Sequence, residues 1–145
     1  MKNNILAIIP AREGSKEIKF KNLQKIGNKS LLQITIEEAK KSKLIDKLVL
    51  STESKKIIDH AKKFNIEIPF IRSKKLAGDK SKTFDVIRDA VKRSEKKYNI
   101  KYNIIVILQP TTPFRKFNSI DLAIKKLIKN KLDACMTIKK ISYPI

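Results

Sequence analysis

The sequence predicts an α/β protein built on a mostly parallel sheet. Three observations carry that reading. The runs ILAIIP (residues 5–10) and NIIVILQP (103–110) are continuously apolar, as strands of a sheet covered on both faces are. Other stretches repeat apolar residues at helical spacing. Strands and helices of about 10–15 residues then alternate along the whole chain, which is the signature of βαβ units.

Each element follows in order. ILAIIP is the first strand, and a long loop rich in cations follows it. SLLQITIEEAKKSK (30–43) is a helix: Leu32, Ile36 and Ala39 share a face, and Glu37 and Glu38 precede a lysine-rich end that suits the helix dipole. DKLVLST (46–52) is a strand. SKKIIDHAKKFN (54–65) is a helix with Ser54 as N-cap and Asn65 as C-terminal stop. IEIPFIR (66–72) is a short extended segment, and Pro69 assigns it to an edge or irregular position. TFDVIRDAVKRSEKKY (83–98) is helical with Phe84, Ile87, Ala90 and Val91 on one face. NIIVILQP is the second fully apolar strand. SIDLAIKKLIKNK (119–131) is a helix whose stripe is Ile120, Ala123, Ile124, Leu127 and Ile128. DACMTIKKI (133–141) closes the pattern as a strand that carries Cys135 as a buried thiol.

With 145 residues the chain suits one domain, 1–145, and at that size roughly 68–70% of the unfolded surface is buried. Its formal charge of +20 attracts polyanions, from phosphorylated metabolites to nucleic acid. Yet 29 of the 34 basic residues are lysines spread along the chain, so most of the excess reads as solvated surface. A basic nucleic-acid-binding domain is the non-enzymatic alternative. It fits poorly, because the cations are dispersed and no nucleic-acid-binding motif occurs. A single cysteine excludes an intrachain disulfide and a cysteine metal cluster. No run approaches the roughly 18 apolar residues of a membrane span, and a cytoplasmic protein is expected.

Parallel sheets bind ligands beyond the carboxyl ends of their strands. That rule selects residues 10–22, 51–54 and 109–115. The first loop holds Arg12, Gly14, Ser15, Lys16, Lys19, Lys21 and Asn22. Backbone N–H groups and cations gathered there suit a polyphosphate, and Gly14 allows close backbone approach or a positive φ. The chemistry is charge neutralisation on phosphates, because no nucleophile in the loop is backed by a base. Two familiar phosphate motifs are absent. GNKS (27–30) places Asn28 where a Walker A loop needs lysine, and Gly14 is the single glycine of the first βα loop, short of a dinucleotide fingerprint. In the third loop two prolines stiffen the chain; Gln109, Thr111 and Thr112 offer donors and acceptors to a hydroxyl-rich substrate, and Arg115 offers a partner for a carboxylate or phosphate. His60 sits mid-helix among lysines and reads as a surface residue, while Asp79 is a candidate loop or metal-adjacent carboxylate.

Taken together, IIPAREGSKEIKFKN, STESKKIIDHAKKFNIEIPFIR, LAGDKSKTFDVI and LQPTTPFR, in this order and at these intervals, resemble the acylneuraminate cytidylyltransferases. That family includes enzymes acting on pseudaminic and legionaminic acids. The resemblance implies a Rossmann-like, three-layer α/β/α fold of the nucleotide-diphospho-sugar transferase type. It implies transfer of CMP from CTP to a nonulosonic (sialic-type) acid, with pyrophosphate released. It further implies that Arg12, Gly14, Ser15, Lys16, Lys21, Asn22, Arg72 and Thr83 hold the nucleotide. Lys21, Arg12 and Lys16 would be catalytic, and Gln109, Thr111, Thr112 and Arg115 would meet the sugar acid. A Kdo-type cytidylyltransferase is the nearest alternative, but that family continues the first loop differently from KEIKFKN. Departures exist: Ser51-Thr52-Glu53 stands where the family has S-T-D, and Ser73 stands where proline follows the arginine. Family members run well beyond 200 residues, and their later part supplies a magnesium site and a dimerisation extension. The resemblance therefore implies that this chain is the N-terminal portion of a homodimeric enzyme, with most Mg2+ ligands outside it. An inactive fragment is the other possibility it leaves.

Overall fold

The computed structural model describes residues 3–14 and 18–138. A three-stranded parallel sheet forms from β1 (Ile5–Pro10), β4 (Lys47–Ser51) and β5 (Ile104–Ile107), in the order β4-β1-β5. Ile8 lies opposite Val49 on one side and Ile107 on the other, so β1 is paired along both edges. Leu6, Ala7, Ile8 and Ile9 are fully buried, as the continuous apolar run requires.

Alternate residues of β1 face opposite layers. Ala7 and Ile9 pack with Leu32, Ile36 and Ala39 of α1 (Leu31–Lys40) and with Ile57 and Ala61 of α2 (Lys55–Lys62). Leu6 and Ile8 pack with Ile87 and Ala90 of α3 (Thr83–Tyr98). α4 (Ser119–Lys129) sets Ile124 against Ile5 and Ile104 at the amino ends of the strands. The sheet is thus covered on both faces, and each fully buried Ile or Leu contributes roughly 1.5–3 kcal/mol. The helix stops follow the chemistry of their residues. Ser30 and Ser54 accept from the Gln33 and Ile57 N–H groups as N-caps. Asn65 and Asn99 end α2 and α3 with positive φ.

The chain leaves β1 through α1 on one face to reach β4, and reaches β5 through α3 on the other. The switch between the two directions lies at the carboxyl end of β1, where such sheets hold ligands. Residues 66–68 add an isolated parallel bridge, Glu67 opposite Val49, at the outer edge of β4, as Pro69 foretold.

Several expectations are corrected. A hairpin, β2 (Lys25–Ile26) and β3 (Lys29–Ser30), interrupts the first loop and turns at Gly27, whose φ is 58°. Phe84 is 65% exposed and sits under the Arg88 guanidinium, while Val86 is buried on the α3 face that carries Ile87 and Ala90. Ile128 leaves the α4 stripe for solvent, and Ile107 is half-exposed because β5 is an edge of the sheet among the described residues. Residues 133–138 pair with no neighbouring strand, so Cys135 is half-buried outside any strand. The remainder of the expected last strand, 139–141, lies outside the described residues.

Candidate functional site

The first loop continues the sheet before it turns away. The Ala11 N–H donates to the Ser51 carbonyl, one residue beyond the end of β1. Asn22, buried, returns across the loop and donates through Nδ2 to the Arg12 carbonyl at 3.0 Å. That bond fixes both ends of the loop and sets Lys21 at the start of a one-turn 3-10 helix, Lys21–Leu23. Phe20, just before it, takes a left-handed backbone (φ 52°) and is flanked by Lys56 and Lys19, at 4.1 and 5.7 Å from its ring centre. Gly14 does not use a positive φ, and a side-chain carbon built on it would meet nothing within 4 Å. Its value is the open space it leaves. Ser15 and Lys16 lie outside the described residues.

The second loop supplies the rigid part. Arg72 is 4% exposed. Its backbone N–H donates to the Thr52 carbonyl, its Nε donates to Ser51 Oγ at 3.1 Å, and its Nη2 donates to the Ser51 carbonyl. Its Nη1 faces Glu53 Oε2 at 3.7 Å. Burial lowers the guanidinium pKa, while the Glu53 carboxylate opposes that shift. The other oxygen of Glu53 accepts the Glu13 N–H at 2.7 Å, and the Glu13 carboxylate accepts from the Ser54 hydroxyl. Arg12 donates to Asp79 at 2.7 Å, which brings residues 79–83, and with them the exposed Thr83 at the start of α3, alongside the first loop.

The third loop begins as β5 ends. Leu108 donates to the Ile8 carbonyl, Pro110 is buried, and Gln109, Thr111 and Thr112 are exposed at the carboxyl edge of the sheet. The Gln109 carbonyl accepts from the Thr112 N–H and from Arg115 Nη2 at 2.9 Å. Arg115 is not brought to the exposed loop residues. It is folded back toward the last turn of α1, where it lines a small cavity with Glu38, Ser42 and Asp121. Burial lowers its pKa, and Glu38 opposes that.

The structure therefore gathers Arg12, Lys21, Asn22, Arg72 and Thr83 around the ends of β1 and β4, with Gln109, Thr111 and Thr112 at the end of β5. The bonding of Glu13 to Glu53 and Ser54 was not anticipated. The available signal was the presence of acids, Glu13 and Glu17 in the first loop and Glu53 in the second, in two loops that adjacent parallel strands bring side by side. His60, expected at the surface, is instead half-buried: Nε2 lies 2.8 Å from Ser30 Oγ, and the ring packs against Phe64. As for a divalent metal, no group of three or more His, Cys, Asp or Glu side chains converges among the described residues. Asp79 and Glu53 are each aimed at an arginine and Glu13 at Ser54. No helix among the described residues is long and apolar enough to cross a membrane.

Comparison with known proteins places the sequence and the fold. The family model described as cytidylyltransferase matches residues 6–142. A CMP-N,N'-diacetyllegionaminic acid synthase of Legionella pneumophila is 36% identical over 121 residues, covering 83% of this chain and 52% of that protein. A pseudaminic acid cytidylyltransferase of Campylobacter jejuni is 34% identical over 145 residues, covering 100% of this chain and 61% of that protein. The chain thus spans between half and two thirds of the length of these relatives. Among solved structures, a CMP:2-keto-3-deoxy-manno-octonic acid synthetase complexed with CTP superposes with a TM-score of 0.73 at 17% identity, over 89% of this chain and 49% of that one. At that identity the likeness concerns the fold.

Proposed function

The chain belongs to the cytidylyltransferase family, and from that premise we propose that it carries the CTP-holding portion of an enzyme that activates a nonulosonic acid as its CMP derivative. The observation that supports the reading is that the loop after β1, held by the bonds Arg12–Asp79 and Asn22–Arg12, leaves the sheet at its switch point, with the buried Arg72 beside the neighbouring end of β4. The names of the relatives support the substrate class.

In the proposed reaction the anomeric hydroxyl oxygen of the sugar acid attacks the α-phosphorus of CTP. The new P–O bond forms as the bond to the β-phosphate oxygen breaks. Pyrophosphate leaves, and the hydroxyl proton passes to a base. Arg12, Lys16 and Lys21 hold the phosphates and stabilise the charge that builds on them, and removing one such donor typically costs ~10²–10³ in rate. Gly14 and Ser15 line the phosphate path, Asn22 keeps the loop closed, and Arg72 and Thr83 border the nucleotide. Gln109, Thr111 and Thr112 meet the sugar acid. His60 is not the base, because its ring is committed to Ser30 and Phe64. Magnesium when bound would neutralise charge on the phosphates. The reading entails a cytoplasmic location, where CTP is available, and a homodimer for the longer protein.

Thermal shift of the chain with CTP, UTP and GTP tests the proposal, since only a nucleotide bound by the native state raises the melting temperature. CTP is expected to give the largest shift, and Lys21→Ala to shrink it. Equal shifts for the three nucleotides, as bulk positive charge alone would produce, overturn the reading.

A further inference from the structure

We infer that Glu13 and Glu53 are positioning residues that clamp the first phosphate-holding loop onto the second. The inference rests on the proposed nucleotide site but assigns roles to residues outside it. Two carboxylates beside a polyphosphate cradle are electrostatically costly, so their use must lie elsewhere. Both are engaged by groups of the protein itself. Glu53 accepts the Glu13 backbone N–H at 2.7 Å with one oxygen and faces the buried Arg72 at 3.7 Å with the other. Glu13 returns the contact by accepting from Ser54 Oγ, the residue that also caps α2. Residue 13 is therefore held by its backbone and its side chain to the same short segment, 53–54. Asn22 fixes the neighbouring Arg12 carbonyl from the other direction.

The consequence is that the backbone on either side of residue 13, from Arg12 to Gly14, is preset. Arg12 precedes the clamp and Gly14, with its open surroundings, follows it. A preset loop loses less conformational freedom on binding and so binds more tightly. Because Glu53 also balances Arg72, the clamp ties the shape of the first loop to the guanidinium that borders the nucleotide.

The test compares Glu13→Ala with Glu13→Gln in the 145-residue chain, because Glu13 is exposed and neither variant empties the core. Glu13→Gln can still accept from Ser54; Glu13→Ala cannot. Amide hydrogen exchange on the ligand-free chain is expected to speed up at residues 13 and 14 in Glu13→Ala and to return near the wild-type rate in Glu13→Gln. Titration calorimetry is expected to show CTP bound about three- to tenfold more weakly by Glu13→Ala, with CMP nearly unchanged and Glu13→Gln within about twofold of wild type. Unchanged exchange in Glu13→Ala overturns the clamp. Equal losses for CTP and CMP overturn its link to the phosphates. Should wild type show no preference for CTP over UTP and GTP, the functional reading fails, and the exchange data alone then decide for or against the clamp.

Discussion

Arg72 shows how one residue joins stability to the site. A guanidinium leaves water at a cost of several kcal/mol unless its donors are matched. Here Ser51 takes two of them, and Glu53 supplies the opposing charge. Arg72→Ala removes those bonds and leaves the largely buried Glu53 without its counter-charge, so we expect a loss of about 3–5 kcal/mol. For a chain of this size that is a drop of roughly 10 °C in melting temperature, measurable by circular dichroism. Arg72→Lys should recover only part of it, since an ammonium cannot reproduce the planar fork. A melting temperature unchanged in Arg72→Ala would mean that the buried guanidinium contributes nothing net. The sequence marked Arg72 as a residue near the nucleotide. It could not show the burial, because Ser51 and Glu53 stand about twenty positions away and meet Arg72 only once β4 and the 66–72 segment lie side by side. Arg115 carries the converse lesson: its position in the third loop pointed to a substrate carboxylate, and its side chain turned to a backbone carbonyl of the same loop.

The junction of α1 and α2 shows the same coupling between elements. The Ser30 hydroxyl oxygen accepts from the Gln33 N–H as the α1 cap and also shares a hydrogen bond with His60 Nε2 on α2. Burial, then the positive charges of Lys63 and Lys25, lower the imidazole pKa below its ordinary value. The unfolded chain therefore binds a proton that the folded one resists. The stability tied to the neutral ring is complete above about pH 6.5 and is lost as pH falls through the depressed folded value. His60 is the one histidine in the sequence, so no other imidazole contributes to this window. Melting temperatures taken between pH 7.5 and 5.5 are expected to fall more for wild type than for His60→Gln, and parallel curves would sink the assignment. At this scale the sequence was legible wherever a period ran long. The four helices and the three sheet strands fall where apolar spacing and caps put them. The hairpin at residues 25–30 escaped because two-residue strands carry no period. Residues 133–138 misled for the opposite reason: their composition suits a strand, but a strand also needs a neighbour, and none pairs with them among the described residues.

For the whole molecule the governing quantity is a charge of +20. The fold class was readable because alternating strands and helices survive almost any surface composition, and the lysines lie on that surface. Their collective effect depends on screening. A compact chain of this length has a radius of gyration of about 15 Å. The Debye length is about 30 Å at 10 mM salt and about 8 Å at 150 mM. At low salt, then, each lysine repels the others across the molecule, while at physiological salt it feels only its neighbours. The described surface ion pairs, such as Lys29–Glu37 and Lys101–Glu95, weaken with salt too, but such pairs contribute about 0–1 kcal/mol each. The repulsion should therefore dominate, and the melting temperature is expected to rise by several degrees between 10 and 150 mM NaCl. A flat or falling curve would mean that local pairing outweighs the net charge. The same titration separates the two sources of attraction for a nucleotide. Attraction to the overall field is common to CTP, UTP and GTP and should fade together for all three as salt is added. Contacts made at the ends of β1 and β4 act at hydrogen-bond range and are screened far less. A preference for CTP that persists at 150 mM therefore belongs to the site, and one that vanishes with the field belongs to the lysines.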